Sequence, residues 1–305
     1  MHIYIYVLED DTGLKSPFLL DLGNILEKHQ ACPSYTLHVR YRPFRYFHHM
    51  DITITPNGVN IEPIKTIHFK KSKQILDDIT QFLHHAHPRT PRDTHVLVIE
   101  SHGYNTYVQT AGKAYAKGVN DAVKMEMRDF VKSMQAKKIV FDAVLLDACC
   151  MSTIHTAAIL KPITKYMMAS EYTVPYLGML SKEFLPLLTH RAKPLVERLN
   201  NVGQAYVQRN TSTDPKWDGL KDGCDVAVLD LTKLDTSLLQ ETDLLKPVAK
   251  YRVIKDVEYR VYDLFASASL RGTGKAIRTM LKNVICFYAK THSHKHTHGI
   301  AVEIR

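Results

Sequence analysis

Cysteine is scarce in this chain of 305 residues, and the way it is spread excludes several function classes. The five cysteines, Cys32, Cys149, Cys150, Cys224 and Cys286, are an odd number with no CxxC pair. That pattern argues against a disulfide framework and a structural zinc site and favours a reducing compartment, so a cytoplasmic protein is expected. No apolar run reaches the length of a membrane span. Met1–Leu8 (MHIYIYVL) lacks the basic start and small-residue cleavage site of a secretory signal. A Gly-rich phosphate loop, an internal repeat and a low-complexity linker are all missing. Acidic residues are in deficit, which leaves a net charge of +9. Spread over the whole chain, such an excess reads as a solvated surface.

What is present is alternation of short apolar runs with amphipathic stretches. Strands are expected at Ile3–Leu8, Tyr35–Tyr41, His95–Ile99, Phe141–Leu146, Tyr166–Ser170, Asp225–Leu229 and Gly299–Ile304. Asp51–Thr55 and Val59–Ile64 flank Pro56-Asn57-Gly58, which signals a hairpin decorating a sheet edge. Helices are expected from Ser16-Pro17 to about His29, then over Lys73–His85, Ala122–Ala136, Met179–Leu188 and Lys193–Arg209. Two or three more fill Leu231–Tyr288. This order predicts an α/β fold, a mostly parallel sheet flanked by helices on both faces. One domain over residues 1–305 is expected, with a core of about 1–209; residues 210–305 complete it with helices and the last strand.

The chemistry concentrates where two of these strands end. The run Phe141–Met151 (FDAVLLDACCM) stops on Asp147 and is followed by two thiols, Cys149 and Cys150, with a helix expected from Met151 or Ser152. A cysteine at such a strand-to-helix turn gains thiolate character from the helix N-terminus. The run ending Ser101-His102-Gly103 closes in the same manner. Two parallel strands ending this way bring His102 and Cys149 to one rim of the sheet, where ligands of open α/β sheets bind. A thiolate there would attack a carbonyl while the imidazole manages protons for the leaving group. Backbone N–H groups of Gly103 and Cys149 would receive the oxyanion. The rival reading is that each is an ordinary core cysteine or histidine, the chain having 17 histidines.

Five fragments in order, VIESHG, LLDACCM, MMASEYTVPYLG, DVAVLDLTKL and the terminal GIAVEIR, resemble the clostripain-like cysteine peptidases. The likeness is densest over His95–Gly178. It implies a fold of the caspase-hemoglobinase type and a cysteine endopeptidase cleaving after basic residues. Cys149, directly after Asp-Ala, aligns with the family nucleophile, and Cys150 takes a slot the family fills with an apolar residue. The resemblance also implies that Asp147 lines the pocket for an Arg or Lys P1 side chain, with capping of the following helix as the alternative. Glu171 would add a second charge, or be an exposed loop acid. Self-processing is implied within Tyr104–Asn120, at Lys113 or Lys117.

Protein or peptide substrates are therefore the expected partners of a monomer, with no membrane and no nucleic acid. The basic stretches Lys65–Lys73 and Arg89–Arg92 lack interleaved aromatics. No cofactor or metal is expected. Glu9-Asp10-Asp11 and the family leave calcium open, although no EF-hand spacing is present. His292, His294, His296 and His298 alternate without Cys or carboxylate partners and read as a solvated loop. The competing functions are a caspase-fold scaffold without catalysis and a basic nucleic-acid-associated α/β protein.

Overall fold

The computed structural model describes residues 1–8, 35–42, 49–87, 93–110, 122–171, 174, 184–211, 224–238, 261–264, 273–291 and 298–303. A nine-stranded sheet runs through them in the order β13-β11-β10-β9-β5-β1-β2-β3-β4. Its five middle strands are mutually parallel: β10 (Thr164–Ala169), β9 (Phe141–Asp147), β5 (His95–Glu100), β1 (His2–Leu8) and β2 (Thr36–Arg42). The flanks are antiparallel. β3 (Met50–Thr55) and β4 (Gly58–Pro63) form the expected edge hairpin. On the other side β11 (Asp225–Asp230) and β13 (Ile285–Lys290) reverse direction in turn.

Alternation along these strands divides the core in two. Tyr4, Tyr6, Leu97, Ile99, Val144 and Leu146 face one layer, and Ile3, Ile5, Val96, Val98, Ala143 and Leu145 the other. The first layer is closed by α1 (Ser72–Ala86), α2 (Met127–Lys137), α3 (Ile154–Leu160) and α6 (Thr273–Val284). The second is closed by α4 (Phe184–Thr189) and α5 (Leu195–Asn210). Each buried Leu, Ile or Phe contributes about 1.5–3 kcal/mol, so strands buried on both faces hold the middle of the sheet rigid. The expected mostly parallel sheet with helices on both faces is the one observed.

Four local expectations need correction. Residues 124–126, expected as helix, are strand β8 (Lys124–Glu126), which pairs with β7 (Tyr107–Gln109), itself paired with β6 (His102–Tyr104). Met125 is wholly buried in that small sheet, and α2 starts only at Met127. Helix α3 begins at Ile154, later than Met151 or Ser152, because the Ser152 N–H donates to Ser170 O and its carbonyl accepts from Ala301 N–H. The stretch ICFYAK, inside the region expected to be helical, is β13. The last strand, β14 (Ala301–Glu303), pairs with β12 (Val261–Asp263) in a separate two-stranded sheet, so β11 and β13, not β14, extend the main sheet. The helix expected from Ser16, and Lys113, Lys117, Arg89–Arg92, Glu9-Asp10-Asp11, His292, His294 and His296, lie outside the described residues.

Candidate active site

Strands β5 and β9 are neighbours in register, Glu100 opposite Asp147, and the two chains stay side by side beyond their ends. Ser101 N–H donates to Asp147 O at 3.2 Å, and Asn105 N–H donates to Cys150 O at 3.0 Å. Between them Gly103 passes so near the other chain that an added Cβ would stand 2.7 Å from Ala148 Cβ and 3.0 Å from Met151 Sδ. Only glycine permits that approach. Gly103 and Ala148 thus meet on one side, continuing the rows Leu97–Ile99 and Val144–Leu146. By the alternation of two, Asp147 and Cys149 follow Ala143–Leu145 in the opposite row, and His102 follows Val96–Val98 in the same parity. The alternation of an antiparallel hairpin, β6 with β7, turns the Gly103 N–H the same way as those of Ser101 and Asn105, toward the Cys149 turn.

Cys149 is partly exposed, and its Sγ accepts a hydrogen bond from Val174 N–H at 3.3 Å. Its pKa is raised above the ordinary thiol value: burial is the main cause, the Val174 N–H opposes it, and the Asp147 carboxylate adds to it. The thiolate character expected from a helix N-terminus is therefore absent. Helix α3 starts five residues downstream, and its N-cap is Thr153, whose Oγ1 accepts from Thr156 N–H at 3.1 Å. The N-cap is thus Thr153, and Asp147 lies buried at the end of β9. Cys150 has φ 56° and is buried, with its pKa raised well above the thiol range by burial and by neighbouring Cys149, Asp225 and Glu171. A non-glycine residue in this left-handed region costs roughly 1–3 kcal/mol, a strain that persists only where the surroundings impose it.

Glu171 is buried, not an exposed loop acid. Its Oε2 accepts from the N–H groups of His298 and Gly299, at 3.1 and 2.9 Å. Beside it Asp225, fully buried, accepts from Ser170 Oγ at 2.8 Å and from Glu171 N–H at 3.1 Å. The Ser152 hydroxyl donates to Gly299 O at 2.7 Å and closes the set. Sequence reasoning missed Asp225 for a topological reason. It opens its strand, but β11 runs antiparallel, so its beginning falls at the rim where β9 and β10 end. Asn105, Thr153 and Thr156 were missed too; the one available signal was an asparagine, a residue tolerant of positive φ, soon after His-Gly.

Against known sequences, the model of the clostripain family of C11 peptidases matches residues 21–292. The chain belongs to the clostripain family. No curated protein sequence matches it significantly. Among solved structures it is similar to a secreted C11 cysteine protease from Bacteroides thetaiotaomicron in complex with an irreversible peptide inhibitor. There the TM-score is 0.76 at 18% identity, covering 100% of this chain and 92% of the other. A second structure of a secreted C11 protease from that organism gives 0.70 at 14%, covering 99% and 93%. An inactive zymogen C11 protease from Parabacteroides distasonis gives 0.67 at 15%, covering 100% and 88%. At these identities the likeness is one of fold. This clostripain-family cysteine peptidase has no helix, among its described residues, long and apolar enough to cross a membrane.

Proposed function

We propose that this peptidase hydrolyses peptide bonds after Arg or Lys, with Cys149 as nucleophile and His102 as proton carrier. What supports it most is that the segments carrying the two residues run side by side at one rim and remain hydrogen-bonded past the ends of the parallel neighbours β5 and β9. The Cys149 sulfur attacks the scissile carbonyl carbon as its proton passes to His102. His102 then gives a proton to the leaving amine, and water hydrolyses the thioester to regenerate the thiol. Gly103 N–H, together with the Cys149 amide, receives the negative charge on the carbonyl oxygen. The buried Asp147 carboxylate recognises the basic P1 group, a charge-assisted pairing favoured away from water. Glu171, one oxygen of which already serves two backbone amides, contributes charge from behind the pocket.

Self-cleavage after Lys113 or Lys117 is part of this proposal. Cytoplasmic residence rests on cysteine usage; two of the structurally similar proteases are secreted, and fractionation of the source cells tests it. The test of the chemistry is hydrolysis of fluorogenic peptides ending in Arg, Lys, Asp or Leu. Cys149→Ala abolishes cleavage of the basic pair and stays a single chain on storage, whereas Cys150→Ala keeps most activity. A dead Cys150→Ala variant, or preference for Asp at P1, overturns the assignment.

A further inference from the structure

The dyad proposed above sits on β6 and on the turn after β9, which share no strand ladder, so its geometry depends on what fastens one to the other. The fastening is concentrated in Asn105. This residue is buried, has φ 52° and follows His102 by three positions. Its N–H donates to Cys150 O at 3.0 Å, on the residue next to Cys149. Its Oδ1 accepts from Thr153 Oγ1 at 2.9 Å, and its own carbonyl oxygen accepts from Thr156 Oγ1. Three groups of one residue, backbone donor, backbone acceptor and side-chain acceptor, are thus taken by the cysteine turn and the first turn of α3. Of the three non-glycine residues with positive φ among the described residues, two are Asn105 and Cys150, and they are hydrogen-bonded to each other.

We propose that Asn105 is a positioning residue, held by Thr153 and Thr156, that sets His102 against Cys149. Its role runs through the backbone of the cysteine turn. Thr106 O accepts from Met127 N–H at 2.8 Å and anchors the hairpin to α2, so the turn is fixed on its far side as well. Loss of the Thr156 hydroxyl releases the near side only. Helix α3 keeps its cap, because the cap uses the Thr156 N–H and the Thr153 hydroxyl. The inference rests on the dyad reading, and the two are separable by experiment.

The test compares wild type with Thr156→Val, Thr156→Ser and Asn105→Gly, which keeps the positive φ but deletes the side chain. Active sites are titrated with an irreversible Arg-directed ketone, and kcat is expressed per titrated site. Thr156→Val retains branching and shape but not the donor, and lowers kcat per site by about tenfold or more, with KM within about twofold. That scale follows from the sensitivity of positioned groups to displacements of an ångström or less. Thr156→Ser restores kcat to near wild type, and Asn105→Gly resembles Thr156→Val. A merely structural role gives the opposite pattern: a lower melting temperature or fewer titratable sites, with kcat per site unchanged in Thr156→Val and Asn105→Gly. That result overturns the proposal. An active His102→Ala protein overturns the dyad reading instead, whatever the Thr156 variants do.

Discussion

One strand, β5, delivers a histidine to each rim of the central sheet, and the two rims have put it to different use. At the amino rim His95 stands in a stack with His2, Tyr4, His38 and His87, whose ring centroids lie 4.3–6.3 Å apart and nearly parallel. Tyr4 OH and His95 Nδ1 share a hydrogen bond at 3.0 Å, and Phe141 closes the stack edge-on. At the carboxyl rim the segment of His102 runs beside one that carries a partly exposed thiol, Cys149, and a buried carboxylate, Asp147. There the backbone carries two strained non-glycine residues and a glycine pressed against its neighbour. Among the described residues, histidines cluster at the rim without the proposed nucleophile. Four histidines that stack on one another fill space as aromatic rings do. Reactive geometry is marked instead by strain, close backbone approach and residual exposure.

The largest effect that would break this contrast is on His102. His102→Ala lowers kcat for a basic peptide by on the order of a hundredfold or more, the usual scale of lost proton transfer. His95→Phe, at the far end of β5, leaves kcat near wild type. Comparable losses from both would erase the distinction between the rims.

Asp147→Asn comes next. It weakens transition-state binding of Arg and Lys substrates by roughly 2–5 kcal/mol, the scale for removing one partner of a desolvated pair. Neutral P1 substrates are affected far less. Equal losses for both classes in kcat/KM would assign Asp147 to folding instead.

The smallest effect belongs to the amino rim and appears in stability. Burial, with smaller contributions from His2 and His87, lowers the His38 pKa to about 4. The imidazole is neutral in the fold, while the unfolded chain takes up the proton near 6.5. Stability from this group is therefore full above pH 6.5 and is lost as pH falls toward about 4. Melting temperatures measured between pH 7 and 4 decline in wild type, and His38→Phe flattens the decline. Catalytic pH dependence in the same range, read per active site, is unchanged by His38→Phe.

The strands that frame both rims were legible because they are buried on two faces, and such runs as HVLVI and FDAVLL have few other solutions. That the segments carrying His102 and Cys149 are neighbours was legible because both strand ends break on a polar residue in adjacent parallel strands. The failures have a common cause, which is that long-range partners overrode local pattern. Residues 124–126 carry a helical signal, but β7 offers them a ladder. Ser152 has backbone partners in Ser170 and Ala301, so α3 cannot start there. Asp225 reaches the site because β11 runs backwards, a direction the composition of a strand does not encode.

The central claim is that the carboxyl rim is built around Cys149, and covalent labelling tests it most directly. Wild-type protein treated with an Arg- or Lys-directed acyloxymethyl ketone is digested and the adduct mapped by mass spectrometry. The account predicts one adduct, on Cys149, formed at the same rate in Cys150→Ala and His38→Phe and missing from Cys149→Ala. Because burial and Asp147 hold the resting thiol above its ordinary pKa, a small non-directed reagent such as iodoacetamide modifies Cys149 slowly at neutral pH and faster as pH rises. An adduct on Cys150 or Cys286, or Cys149→Ala protein labelled as fast as wild type, would contradict it.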